Sequence, residues 1–317
     1  ARNLSELPGV TIACIVDLRP DRRRAAAGRY AAARVVESAH DVIAAADVDA
    51  VVLATPVATH FPLAQAALKA GKDVLVEKPL AASHGEAEML GELAEREGRI
   101  LMVDHTYVYS GPVAKIRELI AAGELGEVCY YDSMRINLGL FQDDVSVIWD
   151  LAVHDLSILH YVLGRQVLTA QTTGTTTWRS AHESVAHITL GLEGGILAHI
   201  NVSWIAPVKI RHTLIVGDRK MLVYNDLERD ETIKVYDRGV VLEAEGLPQL
   251  LREYRIGDMR APRVDRREPL TQVCAHFVDC VRTRRAPRTG AVEGAAVIRA
   301  LEAAERSLRE AGRLVVL

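Results

Sequence analysis

The chain lacks any strong surplus of charge. Its 38 lysines and arginines meet 42 acids in 317 residues, for a net charge of −4. A protein that holds nucleic acid by its phosphates needs a basic face, so this balance leaves that class without an electrostatic footprint. The arginine cluster RPDRRR at 19–24 does not alter this: acids elsewhere neutralise it, and such a run is ordinarily a solvated helix face. Cysteine is scarce too. Cys14, Cys129, Cys274 and Cys280 are scattered without a C-x-x-C pair, which excludes the common zinc spacings and a disulfide framework. Cys14 and Cys129 lie in apolar, strand-like runs, where a free thiol behaves as a small hydrophobe. No stretch is long and apolar enough to span a bilayer and no basic-then-apolar leader is visible, so the expected compartment is the cytoplasm. Internal repeats, low-complexity linkers and a G-x-G-x-x-G turn are also missing.

What is present is a chain of ordinary composition that is long enough for two hydrophobic cores. The first third alternates apolar strands at 10–17, 50–56, 73–77 and 99–104 with helical stretches at 20–33, 39–46, 59–71 and 83–97. Strands apolar on both faces and separated by helices predict a parallel, doubly wound sheet of the Rossmann type. The pattern changes after about residue 109. Helices at 112–122 and 149–163 accompany a long series of alternating strands, and helices at 268–284 and 291–311 close the chain. The turns LEGG at 192–195 and GDRK at 217–220 separate strands at hairpin distances. Ile196, Ala198, Ile200, Val202 and Trp204 share one strand face, and Leu197, His199, Asn201 and Ser203 the other, as in an antiparallel sheet with one side on a core. The expected α/β organisation is a dinucleotide-binding domain over 1–109, then an α+β domain over 110–317 built on a large, mostly antiparallel open sheet. Its helices are too few to cover both faces of so broad a sheet. An uncovered face carrying residues such as Leu190 and Leu197 predicts a homodimer or homotetramer.

The most informative segment is DVLVEKPL at 73–80, a buried strand that ends abruptly in Glu77, Lys78 and Pro79. Open α/β sheets bind ligands at the carboxyl ends of their strands, and Pro79 steers Lys78 away from helical geometry. The pattern fits a working amine on a fixed turn, or a strand that simply stops at a surface Lys-Pro turn. Asp17 ends the strand VTIACIVD, where an acid in a dinucleotide-binding fold accepts from the adenosine ribose hydroxyls. The glycine fingerprint would precede it by about 20 residues, at or before residue 1. The first strand and Gly-rich turn are therefore expected to lie outside this numbering. Asp17 would repel a 2′-phosphate, so NAD is expected; Arg19 beside it can accommodate that phosphate, so NADP is possible. Alternatively, Asp17 starts a turn or caps the helix near Pro20. The strand AVVLATP ends in Thr55 and Pro56, followed by Thr59 and His60. Small and hydroxyl-bearing residues there let a dinucleotide approach the backbone, although Thr59 could equally cap the next helix. The candidate cofactor-binding residues are thus Asp17, Arg19, Thr55, Pro56, His60, Glu77, Lys78 and Pro79.

In VIWDLAVHDLSILHYVLG, 147–164, Asp150 and His154 stand four residues apart and share one face of a predicted helix. A carboxylate beside an imidazole favours its protonated form and orients it, which suits general acid/base work near neutral pH. A surface or capping pair has the same spacing. Asp155 and His160 raise metal ligation, but one D-x-x-x-H pair is weak for zinc and no metal is expected.

Taken together, ATPVATH, GKDVLVEKPL, MVDHTYVYS, GELGEV and DLAVHD stand in an order and spacing that resembles the glucose-fructose oxidoreductase / inositol dehydrogenase / MocA-type family over nearly the whole chain. The resemblance implies NAD(P)-dependent hydride transfer at a secondary alcohol of a sugar, nucleotide sugar or cyclitol. It places Lys78 beside the reacting hydroxyl and makes Asp150 and His154 the acid/base pair. Ala152 and Ser157 depart from the family pattern, where a glycine and an acid are common, and the second departure bears on substrate identity. Residues 135–142 and 200–211 look most like members acting on nucleotide-linked or amino sugars. This makes Arg135, Asn137, Trp204, Lys209 and Arg211 candidate substrate contacts, or ordinary sheet residues. The rival functions on this fold are a non-catalytic dinucleotide sensor and an NAD-using glycosidase.

Overall fold

The computed structural model describes residues 1–139, 142, 145–177, 181–242 and 252–317. They form two compact units: Ala1–Tyr109 with Arg267–Ile298, and Ser110–Arg266 with Arg299–Leu317.

The first unit contains α1 (Arg2–Ser5), β1 (Cys14–Val16), α2 (Pro20–Arg29), β2 (Arg34–Val36), α3 (Ala39–Ile43), β3 (Ala50–Leu53), α4 (His60–Lys69), β4 (Asp73–Glu77), α5 (His84–Arg96) and β5 (Leu101–Asp104). Every strand pairing in it is parallel, in two ladders, β1-β2 and β3-β4-β5. Val74, Val76, Met102 and Val103 are wholly buried, as central strands with both faces covered require. On α4, Ala64, Ala67 and Leu68 turn one helical stripe inward, and on α5, Ala87, Leu90, Leu93 and Ala94 do the same. The outer strands are less covered: Val16 and Val52 are exposed. Strand β2 lies in a stretch without a sequence reading of its own, because three residues are too few to show a period.

In the second unit are α6 (Gly111–Ala121), β6 (Val128–Leu138), α7 (Val153–Leu163), β7 (Val167–Thr175), β8 (Val185–Leu192), β9 (Leu197–Ser203), β10 (Ile205–Gly217), β11 (Met221–Asn225), β12 (Ile233–Leu242) and β13 (Arg252–Arg260). The chain ends with α8 (Pro269–Thr283), α9 (Ala291–Arg309) and β14 (Val315–Val316). One nine-stranded sheet runs β13-β12-β11-β10-β6-β9-β8-β7-β14. Only β6 and β9 pair in parallel among the described strands of this sheet. Strand β13 has no counterpart in the sequence reading. Its run REYRIGDMR carries charge on both faces, which suits an edge strand and hides the period-2 signal.

The 109/110 boundary coincides with the change in sequence pattern, but 267–298 packs with the first unit rather than the second. The causes are local. Val273, Cys274, Phe277 and Cys280 form one buried stripe along α8. Arg284 reaches Asp73 at 2.7 Å. Thr289 bonds the outer edge of β5, its carbonyl accepting from the Val103 N–H and its hydroxyl donating to the Val103 carbonyl, both at 2.7 Å. A methyl on Gly294 of α9 would stand 2.9 Å from Val103 and 3.0 Å from Leu80, so only glycine permits that approach.

Alternation in β9 is as read up to its end: Ala198, Ile200 and Val202, with Trp204 just after the strand, are buried and Leu197 is exposed, whereas Ser203, read on the open face, is buried. Leu190 is a correction. It pairs with Ala198 and is fully buried, on the opposite face from Leu197, because the register places Gly191 beside Leu197. The outer face instead carries a row of register partners, Leu197, Tyr130, Val216, Met221 and Tyr236, across five adjacent strands. No helix among the described residues is long and apolar enough to cross a membrane.

Candidate active site

In the first unit, the carboxyl ends of β3, β4 and β5 gather most of the candidate residues. Glu77 and Asp104 are register partners at the ends of β4 and β5, so two carboxylates stand side by side. Burial pushes the Asp104 carboxyl up to about 6, and the neighbouring Glu77 charge adds to this against the opposing Thr106 hydroxyl, which donates to Oδ1 at 2.7 Å. Glu77 is also raised by burial, opposed by the Lys78 N–H, which donates to Oε2 at 3.3 Å, and by the Lys78 charge. Lys78 follows on a half-buried turn closed by a cis peptide to Pro79. The end of β3 is folded by Thr59, whose Oγ1 lies 2.7 Å from both the Thr55 hydroxyl and the Pro56 carbonyl oxygen. Thr59 stands at the N-cap position of α4, as the alternative reading had it, but its side chain makes no cap hydrogen bond to the helix. His60 is a second correction. Its ring is 1% exposed and spans two main-chain carbonyls, Thr55 and Pro79, at 2.8 Å each, so it supports the turns from behind instead of presenting its side chain to a cofactor.

At the end of β1, Asp17 accepts from the Arg19 N–H at 2.8 Å through Oδ1, which makes it the turn-former that the sequence left open. Its Oδ2 lies 3.7 Å from Arg22. Arg19 pairs with Asp21 at 3.0 Å and Arg23 with Glu37 at 2.9 Å, so each guanidinium already answers an acid.

In the second unit, Asp150 and His154 straddle a break in helical geometry. Ile148–Ala152 is a π-helical turn, and α7 begins at Val153. A π turn bonds five residues apart instead of four, so the face that Asp150 and His154 were expected to share is opened at Asp150 itself. The Trp204 indole N–H donates to Asp150 Oδ2 at 3.0 Å from a side chain that is 1% exposed. Arg135, 4% exposed, donates to both Asp155 oxygens at 2.7 and 3.3 Å. These two expected substrate contacts therefore sit behind the surface: Trp204 holds Asp150, and Arg135 holds the residue after His154. Arg211 is engaged by Asp226 at 2.9 Å. Asn137 is half-buried on the same face of β6 as Arg135, and Lys209 is exposed on β10 within an irregular stretch of its pairing with β6. The Ser157 hydroxyl bonds back to the His154 carbonyl at 2.8 Å, a local helix contact. The described residues contain no group of three or more His, Cys, Asp or Glu placed to hold a metal ion.

Sequence reasoning missed Asp104 and Thr106. The signal was present in RILMVDHT, a buried strand ending in a carboxylate, the same pattern that singled out Glu77.

Comparison with known proteins adds two family matches. Residues 1–105 match an oxidoreductase family with an NAD-binding Rossmann fold, and residues 113–223 match the GFO/IDH/MocA C-terminal domain. A scyllo-inositol 2-dehydrogenase (NAD(+)) of Bacillus subtilis is 28% identical over 173 residues, 53% of this chain and 51% of that protein. D-apiose dehydrogenase of Paraburkholderia graminis is 24% identical over 98% of this chain and 84% of its own. The solved structure of GenD2 from gentamicin A biosynthesis, in complex with NAD, superposes with a TM-score of 0.84 at 24% identity, covering 100% of this chain and 91% of that one, a likeness of fold. Several curated relatives are matched over only 25% to 55% of their own length.

Proposed function

Because the chain belongs to the GFO/IDH/MocA family of oxidoreductases, whose first domain is an NAD-binding Rossmann fold, we propose that it transfers a hydride between NAD and a secondary alcohol of a sugar, nucleotide sugar or cyclitol. The observation that carries this reading is the turn at the end of β4. Lys78 follows Glu77 there, and Glu77 and Asp104 stand side by side with raised carboxyls, in a chain that also keeps Asp150 and His154. The first unit fits a dinucleotide: Asp17 ends β1 with one oxygen engaged by its own turn and the other toward Arg22, and Thr55 and Pro56 expose a small surface at the end of β3. NAD, when bound, supplies the hydride acceptor.

The chain's own residues do the rest. His154 takes the proton from the substrate hydroxyl as the alcohol is oxidised, and returns it in the reverse direction. Lys78 stabilises the oxyanion that develops on that oxygen, an electrostatic role that strengthens as water is excluded. Asp150, oriented by the Trp204 N–H, directs the imidazole or receives a neighbouring substrate hydroxyl. Asn137 and Lys209 are the remaining substrate contacts. The named activities of the inositol and apiose dehydrogenases support a polyhydroxylated substrate.

The proposed assembly is a homodimer or homotetramer through the outer sheet face, whose row from Leu197 to Tyr236 gives an apolar stripe for a partner copy. A panel of sugars, cyclitols and nucleotide sugars, each with NAD and NADP and read at the nicotinamide absorbance, tests the function. Turnover of at least one is expected. Tight NAD binding with no turnover across the panel would point to a sensor, and release of free sugar without net NADH to a glycosidase.

A further inference from the structure

His60 is the first residue of α4, and its buried ring faces two hydrogen-bond acceptors. Nδ1 lies 2.8 Å from the Pro79 carbonyl oxygen, and Nε2 lies 2.8 Å from the Thr55 carbonyl oxygen. Neither carbonyl has a hydrogen to give. A neutral imidazole has one N–H and one bare nitrogen, so it donates to one carbonyl and sets lone pair against lone pair at the other. A ring with a hydrogen on each nitrogen satisfies both. We propose that His60 carries both hydrogens and, as a buried cation, clamps the turn after β3 to the turn after β4, making it a positioning residue for the Thr55-Pro56 and Lys78-Pro79 turns.

The place of the clamp explains its use. The last register pair of the β3–β4 ladder is Leu53 with Val76. Thr55 and Pro79 lie beyond it, where the ladder no longer fixes the strands against each other, and the imidazole spans that interval. The same unit uses this device a second time. Lys72 is 9% exposed and donates to the carbonyls of Ala45 and Val48 at 2.8 and 2.6 Å, tying the chain before β3 to the start of β4. In both places a buried cation rests on two main-chain oxygens. This satisfies acceptors that would otherwise be costly to bury and holds two chain segments at a fixed separation. At His60 the segments held are those proposed to face NAD and to carry the reacting-site lysine. The positioning claim therefore rests on the proposed function, whereas the charge state of the ring does not.

The test uses the full chain, uniformly labelled with nitrogen-15. A long-range proton–nitrogen spectrum of the imidazole rings at pH 7, assigned by the signals lost in His60→Gln, is expected to show both His60 nitrogens bearing hydrogen. His60→Phe removes both bonds, His60→Asn keeps a donor for Pro79 alone, and His60→Gln keeps one for Thr55 alone. For His60→Phe, NAD is expected to bind roughly tenfold more weakly, the scale of a lost buried hydrogen bond to a charged donor. Amide exchange at Thr55, Val57, Lys78 and Leu80 is expected to quicken while β5 is unchanged, and the Asn and Gln variants should fall between. A bare nitrogen in the unmodified protein would overturn the proposal. So would a doubly protonated ring whose removal leaves both NAD affinity and exchange at the two turns unaltered. If the unmodified chain binds no NAD, the cofactor reading fails, while the spectrum and the exchange rates still decide the clamp; slow exchange in His60→Phe would then overturn it.

Discussion

Asp104 should make the first unit less stable as pH rises, and replacing it with asparagine should remove that dependence. Its carboxyl is pushed up to about 6 by burial, reinforced by Glu77 and opposed by Thr106, against an ordinary value of 3.8. Between those two values the folded protein holds a proton that the unfolded chain has released, so stability falls as pH rises through this window. Above it the whole penalty of a buried carboxylate is present. A shift of about two units at 1.36 kcal/mol each gives roughly 3 kcal/mol. Asparagine keeps an oxygen for the Thr106 hydroxyl and cannot ionise. Glu77 titrates beside it, so the wild-type transition is broadened into coupled steps. Thermal denaturation of the wild type and Asp104→Asn, without NAD, from pH 4 to pH 8 measures the effect. The variant should melt on the order of 6 °C or more above the wild type at pH 8, at about 2–4 °C per kcal/mol for a unit of this size. The two should converge near pH 4. A variant that melts lower at pH 8, or a difference that does not change with pH, would refute the reasoning.

Further expectations follow from the same contacts. The proposed role of Asp17 toward the free ribose hydroxyls predicts that kcat/KM favours NAD and that Asp17→Ser narrows the gap to NADP. Arg135→Ala strands Asp155 with no guanidinium in a buried site, so denaturant unfolding should show a loss of about 3–5 kcal/mol. A loss below 1 kcal/mol would mean that the pair is not holding α7. Light scattering at micromolar concentration should give a dimer or tetramer mass, and Leu197→Glu with Tyr130→Glu should reduce it to that of a monomer. A monomer mass for the unmodified protein would end the assembly proposal.

Much of the fold was legible because burial writes itself into local patterns. The uninterrupted apolar run of β4 marked a central parallel strand, and the alternation of 196–204 marked a sheet with one covered face. What escaped depends on partners remote in sequence. The return of 267–298 to the first unit rests on Arg284 meeting Asp73 and on Thr289 meeting Val103, contacts that no local period announces. Leu190 and Leu197 could both be assigned to strands, but their opposite faces follow only from the β8–β9 register.

The site was legible as a set of residue types and less so as a set of roles. Lys78, Glu77 and Pro79 stand at a strand end as their sequence implies. Arg135 and Trp204 carry the chemistry of substrate contacts, yet they serve as buried supports, because Asp155 and Asp150 offer them closer partners. The π turn at Ile148–Ala152 leaves no mark in an apolar periodicity that fits an ordinary helix.

The central claim is that Lys78 and His154 act together on one substrate hydroxyl, and steady-state kinetics of Lys78→Ala, His154→Ala and the double variant on a turned-over substrate tests it most directly. Each single variant should lose roughly 10²-fold or more in kcat with little change in NAD affinity, and the double variant should lose less than the product of the two. Near wild-type turnover by His154→Ala, or losses that simply multiply, would contradict it.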